Sequence, residues 1–348
     1  MRLRRSDPSS PGLRRIRRGR GFSFVDAAGR SLDDETRERV LGLVIPPAWQ
    51  EVWICPYPNG HIQAMGTDEA GRRQYLYHPQ WRVARDQDKH ERVRRLAGRL
   101  PKVRKAIERD IVRTGLGRDR VLAVALRMLD AGLFRTGGEE YQAENGSHGV
   151  ATLLRSHVSV KQDLMTFSFP AKAGVEREAS LRDPLLARAV VCLKRSKAPG
   201  ERLLQYHDLN GWHEVSSADI NTAFKALAGE EFTVKDLRTW AATVTAAAAL
   251  SQSEGSDAGL TGGRRKSQRV ALAMVAEHLG NTAAVARRSY VDPVVIDEHD
   301  LGRTIAPALK RALSSADRHR LDRGDLASIR NRAQLERAVL RLLRNAAS

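Results

Sequence analysis

Five side chains spread along the 348-residue chain are of types that carry chemistry: Arg135 in LFRTGGEEY, Lys172 in FPAKAG, Arg238 in VKDLRTW, Asn281 in HLGNT and Tyr290 in ARRSYVDP. Together they offer a phenol, two guanidinium forks, an ammonium and an amide. Planar guanidinium groups suit bidentate donation to phosphate-like oxygens, and a phenol is a nucleophile once its proton is removed. Taken singly, each has an ordinary explanation. An arginine on a helix is usually surface charge, a hairpin lysine usually aids solubility, and a tyrosine after a helix usually marks the edge of a core. The specificity lies in their order and in the residues around them.

With those surroundings the set resembles the motifs of the type IB DNA topoisomerases in their short bacterial and poxvirus-like form, from about Gly21 to about residue 310. The matching segments are GRRQYLYHPQW at 71–81, YQAENGSHGVATLL at 141–154, KDLRTW at 235–240, and LGNT with SYV between 279 and 291. The resemblance implies an active site made of Arg135, Lys172, Arg238, Asn281 and Tyr290. It implies an isomerase that relaxes supercoiled DNA through a 3′-phosphotyrosyl intermediate, strand rotation and religation, with no ATP, metal or other cofactor. It also implies that Arg72, Gln74, Tyr75 and Tyr77 press into the DNA groove opposite the catalytic domain.

The chemistry of the residue types agrees. A phenol with a pKa near 10 is only about one part in a thousand ionised at pH 7, a deficit of roughly 4 kcal/mol that nearby guanidinium charge reduces. As a phenolic oxygen attacks phosphorus, charge builds on the non-bridging oxygens, where Arg135 and Arg238 are suited to clamp. At about 10² to 10³ in rate per preorganised donor, two arginines and Asn281 could supply much of what a metal ion would otherwise provide. A departing 5′-oxygen needs a proton; Lys172 is the candidate general acid, with Arg135 assisting. Many relatives carry histidine where Asn281 stands; an amide can donate the same hydrogen bond but cannot titrate. Asn281-Thr282 also reads as a helix N-cap, which is compatible with a phosphate contact.

The elements that must position these groups divide the chain in three. Residues 1–20 hold eight arginines among Ser, Pro and Gly and read as a basic flexible arm, either solvated or lying along DNA phosphates. Residues 21–86 read as a small β-rich domain, from the runs GFSFVD, EVWICPYP and HIQAMGTD, with a short helix capped near Ser31 or Asp33 and stopped by Pro46 and Pro47. By the resemblance this domain is one half of a DNA clamp. Residues 87–348 read as a mainly helical catalytic domain interrupted by a β-hairpin with Lys172 at its tip. The fold class is therefore α+β. The stretch SQSEGSDAGLTGGRRKSQ reads as a mobile loop. Alternation in GRRQYLYHPQW makes a DNA face plausible, although Tyr75 or Tyr77 could instead fill the small β core.

Composition favours a polyanionic partner, with 59 Lys and Arg against 41 Asp and Glu and a net charge of +18. Double-stranded DNA is the expected partner, the protein a monomer, and its place the cytoplasm, associated with the nucleoid. No apolar stretch approaches membrane-spanning length, so no membrane association is expected. Cys55 and Cys192 are expected to be buried apolar residues, and the histidines show no metal spacing. Two other readings remain open. A tyrosine recombinase would share the Arg, Lys, Arg, Tyr chemistry, but usually carries His-x-x-Arg where this chain has Lys235-Asp-Leu-Arg238. A non-enzymatic DNA-binding protein would explain the charge and leave the ordered set accidental.

Overall fold

The computed structural model describes residues 2–138, 146–171, 174–252, 261–322, 329 and 331–346. Lys172 and residues 141–145 of the YQAENG segment lie outside the described residues. The chain divides into two compact units, residues 1–89 and 90–348.

The first unit is built on a five-stranded antiparallel sheet in the order β2-β1-β3-β4-β5, with strands β1 (Leu13–Arg18), β2 (Gly21–Val25), β3 (Gln50–Ile54), β4 (Ile62–Thr67) and β5 (Arg73–Tyr77). Alternation sends Leu13, Val52, Ile54 and Ala64 to one face, where they pack on Val40 of helix α1 (Asp34–Gly42). Asp33 caps that helix by accepting from the Thr36 N–H at 2.7 Å, and the helix ends before Pro46 and Pro47.

Part of the arginine-rich N-terminus departs from the expected flexible arm. Residues 13–18 form β1, bridging β2 and β3 in the middle of the sheet. Main-chain pairing is indifferent to side-chain charge, and Leu13 pairs opposite Ile54 to supply the apolar anchor. Arg15 stacks on Phe22 at 4.1 Å and donates to the carbonyls of Pro46 and Trp49, so its stem covers apolar surface while its head is satisfied. Even Arg4 is tied in, pairing with Asn59 and His61 through its backbone.

The second unit is mainly helical, as expected for an α+β chain. Helix α2 (Pro79–Ile111) contributes Val93, Leu96, Leu100, Val103 and Ile107 to its core. At the centre lie α3 (Arg118–Asp130) and α6 (Val234–Gln252), the latter buried over nearly its whole length. Around them pack α4 (Pro184–Lys194), α5 (Ser217–Ala228), α7 (Thr261–Leu279), α8 (Ala283–Ser289), α9 (Pro293–Asp300), α10 (Ala306–Ala312), α11 (Ser315–Asp322) and α12 (Arg332–Asn345). A three-stranded antiparallel sheet joins β6 (Val158–Lys161), β7 (Leu164–Pro170) and β8 (Glu176–Arg182), and a separate hairpin pairs β9 (Gln205–Asp208) with β10 (Gly211–Glu214).

Three details differ from the sequence reading. Residues 261–268, expected in a mobile loop, are the first turns of α7; Gln268 donates to Asp300 at 2.7 Å and Arg264 to the Asp300 carbonyl, and these anchors outweigh the two glycines. The β9–β10 hairpin, which the sequence reading does not contain, turns through Leu209-Asn210 into Gly211, whose φ of +109° favours glycine. Cys192 is exposed rather than buried.

Several half-buried arginines in the frame of this unit face acids. Arg92 pairs with Asp236 at 2.8 Å, Arg94 with Asp292 at 2.8 Å, and Arg127 with Asp183 at 2.5 Å. Arg104 and Arg332 together hold Asp130 and Glu336, linking α2, α3 and α12. Burial opposes ionisation of Asp130, but the two guanidinium groups win and hold its pKa down at about 2.

A carboxylate whose folded pKa is depressed contributes stability that is present above the unfolded value and lost as pH falls through the folded one. Asp130 should therefore make the protein lose stability between about pH 4 and pH 2. Replacing Arg104 by Ala should cost about 3–5 kcal/mol at pH 7 in denaturant titrations, because it strands two buried carboxylates, and should flatten that acid-side loss. A cost below about 1 kcal/mol would mean the network is solvated.

Candidate active site

Helix α7 ends in a glycine-capped turn. Gly280 adopts φ +61°, its N–H donates to Glu277 O at 3.1 Å, and the Asn281 N–H reaches back to Ala276 O at 2.9 Å. This is the left-handed C-terminal cap for which glycine is favoured. It leaves carbonyls at the negative end of the helix dipole in need of donors.

Three arginines from three other elements fill that need. Arg177 on β8 donates to Glu277 O at 2.8 Å and His278 O at 2.6 Å. Arg238 on α6 donates to Leu279 O at 2.7 Å and to Gly132 O at 3.0 Å. Arg135, in the loop after α3, donates to Gly280 O at 3.0 Å and to the Asn281 side-chain Oδ1 at 2.7 Å. Unlike the frame arginines, none of the three has a carboxylate within salt-bridge distance among the described residues.

Each is held by its own local structure. Asp236 of KDLRTW accepts from the Thr233 N–H and pairs with Arg92, starting α6, so Arg238 two residues later projects from a fixed, buried turn. Its exposure is only 4%. Arg135 follows buried Phe134, and its own carbonyl accepts from the Val150 N–H at 2.9 Å. Gly137 and Gly149 pass so closely beside it that a Cβ on Gly149 would lie 2.4 Å from the Gly137 nitrogen.

Tyr290 completes the cluster from the end of α8. Both its N–H and that of Val291 donate to Ala286 O, and its own carbonyl accepts from Thr243 Oγ1 of α6. Asp292 caps α9 and pairs with Arg94, so the residues on either side of the tyrosine are fixed. The Arg238 guanidinium carbon lies 5.7 Å from the Tyr290 ring centroid, within cation–π range.

Electrostatically the cluster is a concentration of positive charge. Burial, then repulsion from Arg135, lowers the Arg238 pKa to about 10, with the Tyr290 phenol opposing that shift. Burial and repulsion from Arg135 also lower that of Arg177, against some relief from Glu277. Two buried donors, Arg238 Nε and Asn281 Nδ2, have no acceptor among the described residues. Thr282, not Asn281, caps α8 by accepting from Val285 N–H at 3.3 Å, which leaves the Asn281 amide unoccupied by helix capping. Convergent cations with orphaned donors and no paired acid among the described residues form a receptor for an anion.

Residues 78–298 match the family model described as eukaryotic DNA topoisomerase I, catalytic core, and residues 21–68 match that of the bacterial DNA topoisomerase IB N-terminal domain. DNA topoisomerase 1B of Acanthamoeba polyphaga mimivirus is 32% identical over 260 residues, covering 73% of this chain and 77% of that protein. The chain belongs to the type IB DNA topoisomerases. DNA topoisomerase 1B of vaccinia virus (strain Copenhagen) is 24% identical, covering 67% of this chain and 71% of that protein. As a member of this family the protein is an isomerase acting on DNA.

Of the five residues expected to carry the topoisomerase chemistry, the fold brings four together: Arg135, Arg238, Asn281 and Tyr290. The fifth, Lys172, lies outside the described residues; the backbone flanking it turns through Ala171 and Gly174, which are joined by a 3.0 Å hydrogen bond. Arg177 was missed. It sits in VEREASL between two glutamates and reads as solvated charge, but it shares the inward alternation phase of buried Ala179 and Leu181.

The four residues expected to touch DNA from the N-terminal unit do not share one face. Tyr75 and Tyr77 point outward from edge strand β5, each 37% exposed, and stack on one another at 5.9 Å rather than filling the core. Gln74 is half-buried and donates to Asp68 at 2.9 Å, as does Arg72 in an exposed ion pair.

One histidine on α7 stands three residues before Asn281. His278 is 6% exposed, and burial together with Arg238 and Arg177 pushes its pKa down to about 3 from 6.5. It is therefore a neutral packing residue and not a titrating stand-in for the histidine that Asn281 replaces. Between pH 6.5 and 3 the unfolded chain binds a proton that the folded protein does not, so stability falls on acidification through that window. Between pH 6.5 and pH 5 the wild type should lose about 2 kcal/mol more than His278→Gln in urea titrations. Equal losses would contradict the burial of a neutral imidazole.

Proposed function

We propose that this topoisomerase cleaves one strand of duplex DNA through Tyr290 and reseals it after rotation, using neither a metal ion nor a nucleotide. The phenolic oxygen gives its proton to solvent and attacks phosphorus, a bond forms between phosphorus and Tyr290, and the bond to the 5′-oxygen breaks. Lys172 gives the departing 5′-oxygen its proton. Torsion in the DNA turns the freed end, and the 5′-hydroxyl attacks the phosphotyrosine to reverse the steps. The phosphotyrosyl ester conserves the bond energy, so religation needs no ATP.

The observation that carries this reading is the convergence of Arg135, Arg238 and Asn281 beside Tyr290 with no carboxylate within salt-bridge distance among the described residues. A phosphodiester entering the cluster meets donors already desolvated and held in place, which is where such groups act most strongly on developing charge. In the free protein the carbonyls of α7 occupy part of that donor capacity. Tyr75 and Tyr77 supply a stacked aromatic surface with which the N-terminal unit contacts the same duplex, and the net charge of +18 supplies the long-range attraction.

Supercoiled plasmid should be relaxed with chelator present and nucleotide absent. Tyr290→Phe should abolish relaxation and covalent adduct while retaining DNA binding, and binding should weaken steeply with salt as phosphate contacts release counterions. Unchanged relaxation by Tyr290→Phe would reject the assignment.

A further inference from the structure

Arg177 is the member of the arginine cluster that the proposed chemistry leaves without a task. It sits on β8 opposite Phe169 of β7, and Phe169 is buried against Phe134, the residue before Arg135. Its guanidinium is half-buried, pushed against Arg135 and Arg238, and lacks an acid within salt-bridge distance among the described residues. Such a placement is unfavourable unless something offsets it. The offset comes from the C-terminal turn of α7, where two carbonyls at the negative end of the helix dipole each accept one of its N–H groups.

That turn immediately precedes the Gly280 carbonyl and the Asn281 amide, both of which engage Arg135. Arg177 also presses on Gly280 itself: a Cβ there would lie 3.2 Å from Arg177 Nη1. The last turn of α7 is thus gripped from the β-sheet side by Arg177, from α6 by Arg238 and from the α3 loop by Arg135.

We infer that Arg177 is a positioning residue for strand transfer: by holding Glu277 O and His278 O it fixes the turn that presents Asn281 to the phosphate. It does not itself contact the DNA. The inference rests on the proposed role of Asn281, and it assigns to Arg177 an effect that passes through that amide. A lysine at this position would keep the charge but could not span two carbonyls with a planar fork.

The test is single-turnover cleavage of a nicked duplex whose released strand diffuses away, read as covalent protein–DNA adduct on a denaturing gel. Arg177→Ala should slow adduct formation about tenfold or more, the equivalent of about 1.4 kcal/mol. Its DNA affinity and thermal midpoint should stay close to wild type, and Arg177→Lys should fall between. In the double variant with Asn281→Ala, the rate should be no lower than that of the slower single variant, because the two residues act on one step in series.

Multiplying rate losses in the double variant would overturn the inference, as would a fall in affinity equal to the fall in rate, which would mark a direct phosphate contact. A wild-type rate in Arg177→Ala would also overturn it. If Ala at 177 prevents folding, Arg177→Gln, which keeps one donor, takes its place in the same cycle. Tyr290→Phe, run beside them, separates the two levels. Adduct persisting in Tyr290→Phe would overturn the reading of the site and this inference with it. Adduct lost in Tyr290→Phe with no effect at Arg177 would overturn this inference alone.

Discussion

The site depends on how the end of one helix is satisfied. Helix α7 stops at Leu279 with a left-handed Gly280, and the carbonyls of Glu277, His278, Leu279 and Gly280 are met by arginines from β8, α6 and the loop after α3. The negative end of the helix dipole favours three guanidinium groups sitting together with no ion-paired acid among the described residues. Carbonyls carry only partial charge, however, so the cluster stays strongly positive, with two buried donors lacking an acceptor among the described residues. A fully charged phosphate is the natural completion of such an arrangement.

The rest of the helical unit keeps that arrangement from relaxing. Arginines in the frame are matched to acids, as in the Arg92–Asp236, Arg94–Asp292 and Arg104–Asp130–Glu336 pairings, and those acids also start or join helices. Asp236 sets the first turn of α6 and hence Arg238; Asp292 sets α9 and hence the residue span that holds Tyr290. The division is chemical. Arg92, Arg94 and Arg104 brace helices through carboxylates, whereas Arg135 and Arg238 rest on carbonyls beside Tyr290.

Much of this was legible in the sequence because motif residues carry their own context. LGNT announces a helix end by its glycine, and KDLRTW contains both the acid that starts α6 and the arginine that the helix buries. Helical periodicity located α2, α3 and α6 because their apolar faces are long. Strand β1 was hidden because composition suggested that an arginine-rich run cannot join a core, whereas a single Leu13 and main-chain pairing suffice. The start of α7 was hidden by Gly262 and Gly263, whose local cost is outweighed by contacts of Arg264 and Gln268 with Asp300. Arg177 was hidden between two glutamates, and only its inward phase on β8 distinguishes it from solvated charge. Among the expected DNA-contacting residues, Gln74 and Arg72 were grouped with the tyrosines by adjacency, but strand alternation and Asp68 set them apart.

The most direct measurement is a crystal structure of the protein trapped covalently on a nicked duplex. Density joining Tyr290 Oη to phosphorus is expected, with Arg135, Arg238 and the Asn281 Nδ2 donor within hydrogen-bonding distance of the non-bridging oxygens. Attachment through any other residue, or a phosphate lying away from these three side chains, would contradict the account.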